Sequence, residues 1–386
     1  MPLSFPSALI RFKRLERSWS QEGLCDGICA VSYLSKIEQG KADPNPDILR
    51  ALMERLGVVW HGGAEADEAR RAADDLKEAF FAADTQAQQR LFAQLDSRRD
   101  AWLNGPHMLD LLLLEKLCRD ESNPSGVPLS AFEDCFDSEQ RALWLLSQNR
   151  CEEALTLMPT ARVCQECGGM YCQQGAYPQA IERLLRACTL AAEEGRARVL
   201  MHARALLGNC YSNQGDEPSM HRHYTAALRL ATELGDDAMA QSLRYNMAST
   251  DLQLGHPEKA LAYFASLDAP TALDLHKLAV CLEKLGRPQE ALRALDRAAQ
   301  TAKADPYGAD DLPPAWPARL CALVRYRLEH PGYLKEAAYG QMLNETWQAM
   351  QRELPHGFVL FHRPWMEEWY VSNRQYKQAY ELRREC

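Results

Sequence analysis

Ser32, Tyr33, Ser35 and Lys36 crowd two hydroxyls, a phenol and an amine onto what the spacing predicts to be one side of a short helix. Within residues 20–40, SQEGLCDGICAVSYLSKIEQG, the apolar residues Val31, Leu34 and Ile37 fall three apart and are expected to face inward, leaving those four outward. Such groups can donate to and accept from base edges and phosphates. A polar helix of this width suits the DNA major groove, which is about 12 Å wide. Gln21 heads the preceding segment, Ala30 offers a methyl contact, and Lys41 adds an ammonium suited to a phosphate. The expected DNA-contacting set is therefore Gln21, Ala30, Ser32, Tyr33, Ser35, Lys36 and Lys41.

The elements that would hold this patch can be read from their punctuation. Ser20 is an N-cap with Glu22 behind it, residues 21–26 form a short helix, and Gly27 ends it. A second helix runs over residues 30–39, with Gly40 as its left-handed stop. Upstream, SALIRFKRLERSW over residues 7–19 carries Leu9, Phe12 and Leu15 at helical spacing, with Ile10 beside them, while Arg11, Arg14 and Arg17 share the other face. Downstream, Asn45 caps a helix that has Pro46 at its first position and Gly57 as its stop. The pattern Ser20-Gln21-Glu22, Gly27, then Tyr33-Leu34-Ser35-Lys36-Ile37-Glu38-x-Gly40-Lys41 resembles the lambda-repressor-like (Xre-type) helix-turn-helix proteins. One more residue than usual separates the glycine from the tyrosine. That form is similar to the peptide-pheromone regulators of low-GC Gram-positive bacteria, the Rgg, PlcR and PrgX type.

With 386 residues, 46% hydrophobic and 25% charged, the chain can bury the cores of one small and one large domain. Its net charge of -9 excludes a protein coated in basic surface. Residues 1–60 are nearly neutral, with basic groups at 11, 13, 14, 17, 36, 41, 50 and 55 against acids at 16, 22, 26, 38, 43, 47 and 54. Phosphate attraction by one such head is modest, so a homodimer reading two half-sites on double-stranded DNA is expected. Thirteen cysteines without a secretory leader point to a reducing compartment, the cytoplasm. The longest aliphatic run, residues 111–114, is far too short to cross a membrane, which takes about 20 apolar residues.

His61, Gly62 and Gly63 interrupt all periodicity. The expected division is a helix-turn-helix domain over residues 1–60, a hinge over 61–66 and a helical domain over 67–386. Residues 67–122 read as paired amphipathic helices. Beyond them a repeat appears. Gly168-x2-Tyr171-x3-Gly175-x4-Ala180-x3-Leu184-x2-Ala187 returns from Gly208 to Ala227 around Gly215, from Ala248 to Phe264 around Gly255, and from Ala279 to Ala298 around Gly286. Looser copies centre on Asn149, between Ala142 and Ala154, and on Arg374, between Tyr370 and Ala379. A longer inter-repeat loop is expected over residues 305–317. The motif resembles tetratricopeptide repeats, and the expected fold is all-α, a lambda-repressor-like head followed by a right-handed helical solenoid. Head and repeats together again resemble the Rgg, PlcR and PrgX group. The resemblance implies a cytoplasmic transcriptional regulator that binds a short signalling peptide in the repeats and dimerises.

In that register Asn209 and Asn246 stand on the concave face, and an asparagine can both donate to and accept from an extended peptide backbone. Tetratricopeptide domains that clamp a terminal carboxylate carry asparagines at these two positions, and Lys277 matches a basic position in the following repeat. Ala205 stands where such clamps carry a further base. Gln165, Gln173, His202, Asn213, Tyr245 and His276 complete the expected peptide-binding set; Arg162, Ser212, Ser242 and Gln253 share the register.

Other signals read as structural. Cys164-x2-Cys167 with Cys172 nearby has zinc-like spacing, but no second pair accompanies it, and cysteines within a repeat helix serve as small apolar residues. His221 and His223 point to different helical faces and make no ligand pair. Phe358, Phe361, Trp365, Trp369 and Tyr370 read as core and cap, with a homodimer contact as the alternative. No phosphate-cradling glycine loop, nucleophile elbow or metal-protease helix occurs, so neither an enzyme nor a cofactor is expected. The rival function is a protein-interaction scaffold, or an inhibitor of a phosphatase pathway, with a vestigial head.

Overall fold

In the computed structural model, which describes residues 3–119, 128–304, 312–313 and 315–384, every regular element among the described residues is helical. The head consists of α1 (Phe5–Glu16), α2 (Gln21–Cys25), α3 (Val31–Glu38) and α4 (Pro46–Arg55). Its expected caps are in place. Ser20 Oγ accepts from the Gly23 amide at 3.0 Å, and Asn45 Oδ1 from the Asp47 amide at 2.9 Å. Ile10, Leu24, Leu34, Ile37, Leu52, Met53 and Leu56 are fully buried at the centre.

Three expected orientations are corrected here. Leu15 is 55% exposed and Val31 43% exposed, whereas Arg14 is buried. On α1 the inward stripe runs through Ile10 and Arg14, four residues apart, so the row through Leu15 turns to solvent. On α3 the core is met only by Leu34, Ile37 and Glu38. Val31, in the first turn, lies beyond the edge of the core.

The segment expected as a hinge is short and tied down. Helix α5 (Ala64–Phe81) starts directly after Gly63, and the His61 amide donates to the Asn104 carbonyl at 2.8 Å. Two more helices follow, α6 (Thr85–Leu103) and α7 (Met108–Arg119), then a 3-10 turn over Leu129–Cys135. That turn carries Phe132, which is wholly buried with its ring centroid 5.5 Å from Phe5 and 5.4 Å from Phe12. The head is thus packed onto the helical part through aromatic rings of α1.

The repeats follow as antiparallel hairpins: α8 (Ser138–Ser147) with α9 (Cys151–Leu157), α10 (Ala161–Gln173) with α11 (Tyr177–Glu193), α12 (Ala197–Asn213) with α13 (Glu217–Glu233), α14 (Asp237–Gln253) with α15 (Pro257–Phe264), and α16 (Ala272–Lys284) with α17 (Pro288–Ala304). Then come α18 (Trp316–Glu329), α19 (Ala337–Glu353), α20 (His356–Ser372) and α21 (Tyr376–Arg384). Most of the expected loop over 305–317 lies outside the described residues. By contact density the chain forms two compact units, one of Met1–Met170 with Glu182–Ala203, the other of Tyr171–Ile181 with Arg204–Cys386.

The glycine at the centre of each motif copy closes the first helix of a hairpin, as at Gly215, where φ is 73°. In the two looser copies Asn149 and Arg374 occupy the same turn, both with φ of 60°. The motif's other positions are the interhelical contact. Met220, Tyr224 and Ala227 are buried to 2% exposure or less, and Gly208 lies under the Tyr224 ring. A Cβ at Gly208 would stand 2.3 Å from Tyr224 Cδ1. Gly208→Ala is therefore expected to destabilise the protein by about 1–3 kcal/mol through overpacking, read as a lower urea midpoint; an unchanged midpoint would mean that the hairpin repacks freely.

Candidate nucleic-acid interface and ligand face

The outer side of α3 is set by a buried ion pair. Arg14 Nε and Nη2 donate to the two Glu38 carboxylate oxygens at 2.6 and 2.8 Å, and Arg14 Nη1 donates to the Trp19 carbonyl at 2.7 Å. Gln21 Nε2 donates to Glu38 Oε2 at 2.8 Å. One carboxylate at the end of α3 thus fixes α1, the start of α2 and the loop between them. The Arg14 guanidinium is held above its ordinary pKa chiefly by the hydrogen bonds to Glu38.

With α3 so fixed, Ala30, Val31, Ser32 and Lys36 are exposed along it. Tyr33 is half-buried, its hydroxyl donating to the Asp43 carbonyl at 3.0 Å, so its phenol braces the following loop. Ser35 Oγ accepts from Gln39 Nε2 at 3.0 Å, and Lys41 Nζ donates to Gln39 Oε1 at 2.7 Å. Gln21 spends its amide on Glu38, an internal role not evident from its position alone. Val31 was not expected on this surface, yet it presents an apolar group at the start of the helix, where a thymine methyl can be met.

The expected ligand residues do not all share one environment. In the second unit, Ser212 Oγ and Thr250 Oγ1 are 2.8 Å apart, joining α12 to α14. Asn209 lies one turn before Ser212 and Asn246 one turn before Thr250, so the two asparagines stand on adjoining helix faces, both half-buried. Asn209 Oδ1 accepts from the Tyr224 hydroxyl at 2.6 Å, leaving its amide nitrogen for other partners. Asn213, a turn further along α12, and Tyr245, beside Asn246, are also half-buried, while Gln173 is exposed. In the first unit Gln165 is buried and accepts from Arg162 Nη1 at 2.7 Å, and His202 is half-buried.

His276 and Lys277 are corrected outright: both are core residues. Every side chain of Ala272–Leu282 is buried: α15, α17 and α18 pack against α16, and Phe361 and His362 of α20 meet the Lys277 and His276 side chains that were expected to be open. Lys277 Nζ sits 3.0 Å from the centroid of the Phe361 ring, and the His276 ring stacks on His362 with centroids 5.9 Å apart. Neighbouring Arg327 pairs with Glu283 at 2.7 Å and lies over Trp365. Of the aromatic group on α20, Phe361 is buried, while Phe358, Trp365, Trp369 and Tyr370 are half-buried and packed against the core. Burial pushes the Lys277 ammonium down to about 7, and pushes His362 down to about 3 and His276 well below its ordinary value.

Residues 10–59 match the helix-turn-helix family. The chain carries a helix-turn-helix domain at its head. The fold over most of the chain is similar to two solved structures. One is a Rap protein complexed with Competence and Sporulation Factor, at 12% identity and a TM-score of 0.57, over 83% of this chain and 96% of that one. The other is NprR in complex with its cognate peptide NprX, at 17% identity and a TM-score of 0.52, over 82% and 99%. No curated protein matches the chain. The helix-turn-helix head is thus followed by repeated helical hairpins of the tetratricopeptide type. Among the described residues, no helix is long and apolar enough to cross a membrane.

Two outcomes follow from these contacts. Removing one partner of the Arg14–Glu38 pair strands a buried charge, so Arg14→Met is expected to cost about 3–5 kcal/mol in the helix-turn-helix domain. The double variant Arg14→Met with Glu38→Leu should recover much of that loss in thermal unfolding; equal losses in single and double variants would show that the pair is not the cause. For Lys277, the folded pKa lies below the unfolded one, so stability is complete above about 10.5 and is lost as pH falls to about 7. Lys277→Met should therefore stabilise the protein most at pH 7 and below, with the gain shrinking as pH rises. A gain independent of pH in denaturant titrations would contradict that reading.

Proposed function

We propose that this protein is a homodimeric transcriptional regulator whose helix-turn-helix domain reads an operator and whose repeats bind a short signalling peptide. The observation that carries the reading is the exposed outer side of α3, braced by the Arg14–Glu38 pair and joined in one chain to tetratricopeptide-type hairpins. The two similar structures support the second half: NprR was solved with its cognate peptide, and the Rap protein with Competence and Sporulation Factor.

In this reading Ala30, Val31, Ser32 and Lys36 face the major groove, with Tyr33 and Ser35 at its margin and Lys41 on a phosphate. Gln21 acts through Glu38 to hold the α2–α3 angle. Two heads are needed, because one neutral head supplies few phosphate contacts, and half-sites about 34 Å apart would match a two-fold dimer. The peptide lies against α12 and α14, where Asn209, Asn213 and Asn246 hold its backbone and Tyr245 contacts a side chain. Gln173, in the same unit, extends the proposed ligand set, and Gln165 and His202 of the first unit are separate candidates. The peptide must bind two arrangements of the protein unequally to alter operator affinity.

The test is selection of genomic fragments by the purified full chain, with and without an extract of dense culture. Selective enrichment that changes with the extract is expected; no enrichment in either condition would sink the reading. On the selected operator, Ser32→Ala or Val31→Ala should change the preferred base at one position, worth about 1–3 kcal/mol of discrimination. Lys41→Ala should weaken selected and random DNA alike and reduce the salt slope by about 1. If all three variants weakened both kinds of DNA equally, the assignment of base-reading residues would be wrong.

A further inference from the structure

Glu217 and His221 stand one helical turn apart at the start of α13. Asp251 lies in the last turn of α14, and His256 is the residue before α15. His221 Nε2 is 3.5 Å from Asp251 Oδ1 and 3.6 Å from Glu217 Oε1. The His256 Nε2 atom is 3.5 Å from the other Glu217 oxygen. These separations exceed the roughly 2.7–2.9 Å of a charge-assisted hydrogen bond. The two His221 separations match instead the edge of a tetrahedron: two ligands each bonded at about 2.0–2.2 Å to one zinc ion stand about 3.3–3.6 Å apart.

Two further observations favour an ion there. Asp251 Oδ1 is buried and accepts no hydrogen bond, a costly state for a carboxylate oxygen unless a cation meets it. Lys259 keeps its Nζ 3.8 Å from Glu217 Oε1 and is largely exposed, and the side chain at ion-pair distance from Asp251 Oδ1 is His221 itself. One ligand atom from each of Glu217, His221 and Asp251 can be chosen so that all lie within 4.8 Å of one another.

We propose that Glu217, His221 and Asp251 bind a first-row divalent transition-metal ion, with His256 positioning Glu217 from behind. One imidazole and two carboxylates suit zinc and leave a fourth position for water. The ion fastens the start of α13 to the end of α14, five residues from Asn246, and stiffens that pair of helices. The proposal stands independently of the peptide reading.

The test uses the full chain, stripped with a chelator and titrated with Co²⁺ as a spectroscopic stand-in for zinc. A single cobalt ion should give tetrahedral visible absorption without a thiolate charge-transfer band, and Zn²⁺ should displace it. Asp251→Asn, which preserves volume, and His221→Ala should each weaken binding by more than the roughly 10–100-fold expected of the outer-shell change His256→Ala. Zn²⁺ should raise the melting temperature of the unmodified protein and leave that of Asp251→Asn unchanged, with circular dichroism reporting that the variant is folded. Absence of binding, a thiolate band from the cysteines, or equal affinity in all variants would each overturn the proposal.

Discussion

Each repeat hairpin must reverse direction within two or three residues, and it does so through a left-handed backbone position that glycine adopts without steric cost. Everything beyond the head depends on this constraint, because the reversal aligns the second helix against the first and brings Ala, Tyr and Phe positions into contact. The sites at Asn149 and Arg374 show that the geometry, not the residue, is what the repeat keeps. Asparagine tolerates left-handed backbone, and arginine there carries strain of about 1–2 kcal/mol that the surrounding packing must offset.

That local origin explains how much of the architecture was legible in the sequence. N-caps at Ser20 and Asn45, stops at Gly27, Gly40 and Gly57, and the spacing of the repeats are written in residues close together along the chain. What was not legible was facing. Residues three or four apart define a stripe, but not which of two stripes meets the core. On α1 both do: Ile10 and Arg14 enter the helix-turn-helix core, while Phe5 and Phe12 meet Phe132, more than a hundred residues away. An arginine looked like surface because its partner, Glu38, could be placed beside it only by the fold.

The same limit governs the candidate sites. Asn209 and Asn246 could be set on matching faces from the repeat register, and the Ser212–Thr250 bond supports that they adjoin. Glu217 and His221, four apart on one helix, were open to inspection as a pair. Their third partner, Asp251, comes from a different hairpin and meets His221 only through the packing of α13 on α14, while His223 lies on another face of α13. The repeat register also could not say what covers the face of α16, since α20 lies about eighty residues further along and carries no repeat signature until its end.

The composition of that covered face has an energetic consequence. Lys277, His276 and His362 are buried, burial disfavours their charged forms, and neither ring nitrogen of His276 has a hydrogen-bond partner among the described residues. Each such group gives up hydration that a leucine would not have had to lose, so α20 is held on α16 less firmly than its apolar contacts alone imply. Arg327 and Glu283 offset part of this, because both members of that pair are satisfied. The cover is therefore built from strong aromatic contacts at Phe361 and Trp365 around a polar centre that opposes them. Protonating that centre weakens it further, since an imidazolium or ammonium formed there must either find a counter-charge or reach water. In this unit acidification therefore opposes packing at the α16–α20 contact, as it does at buried His223, while the asparagines of α12 and α14 lie outside the α16–α20 cluster.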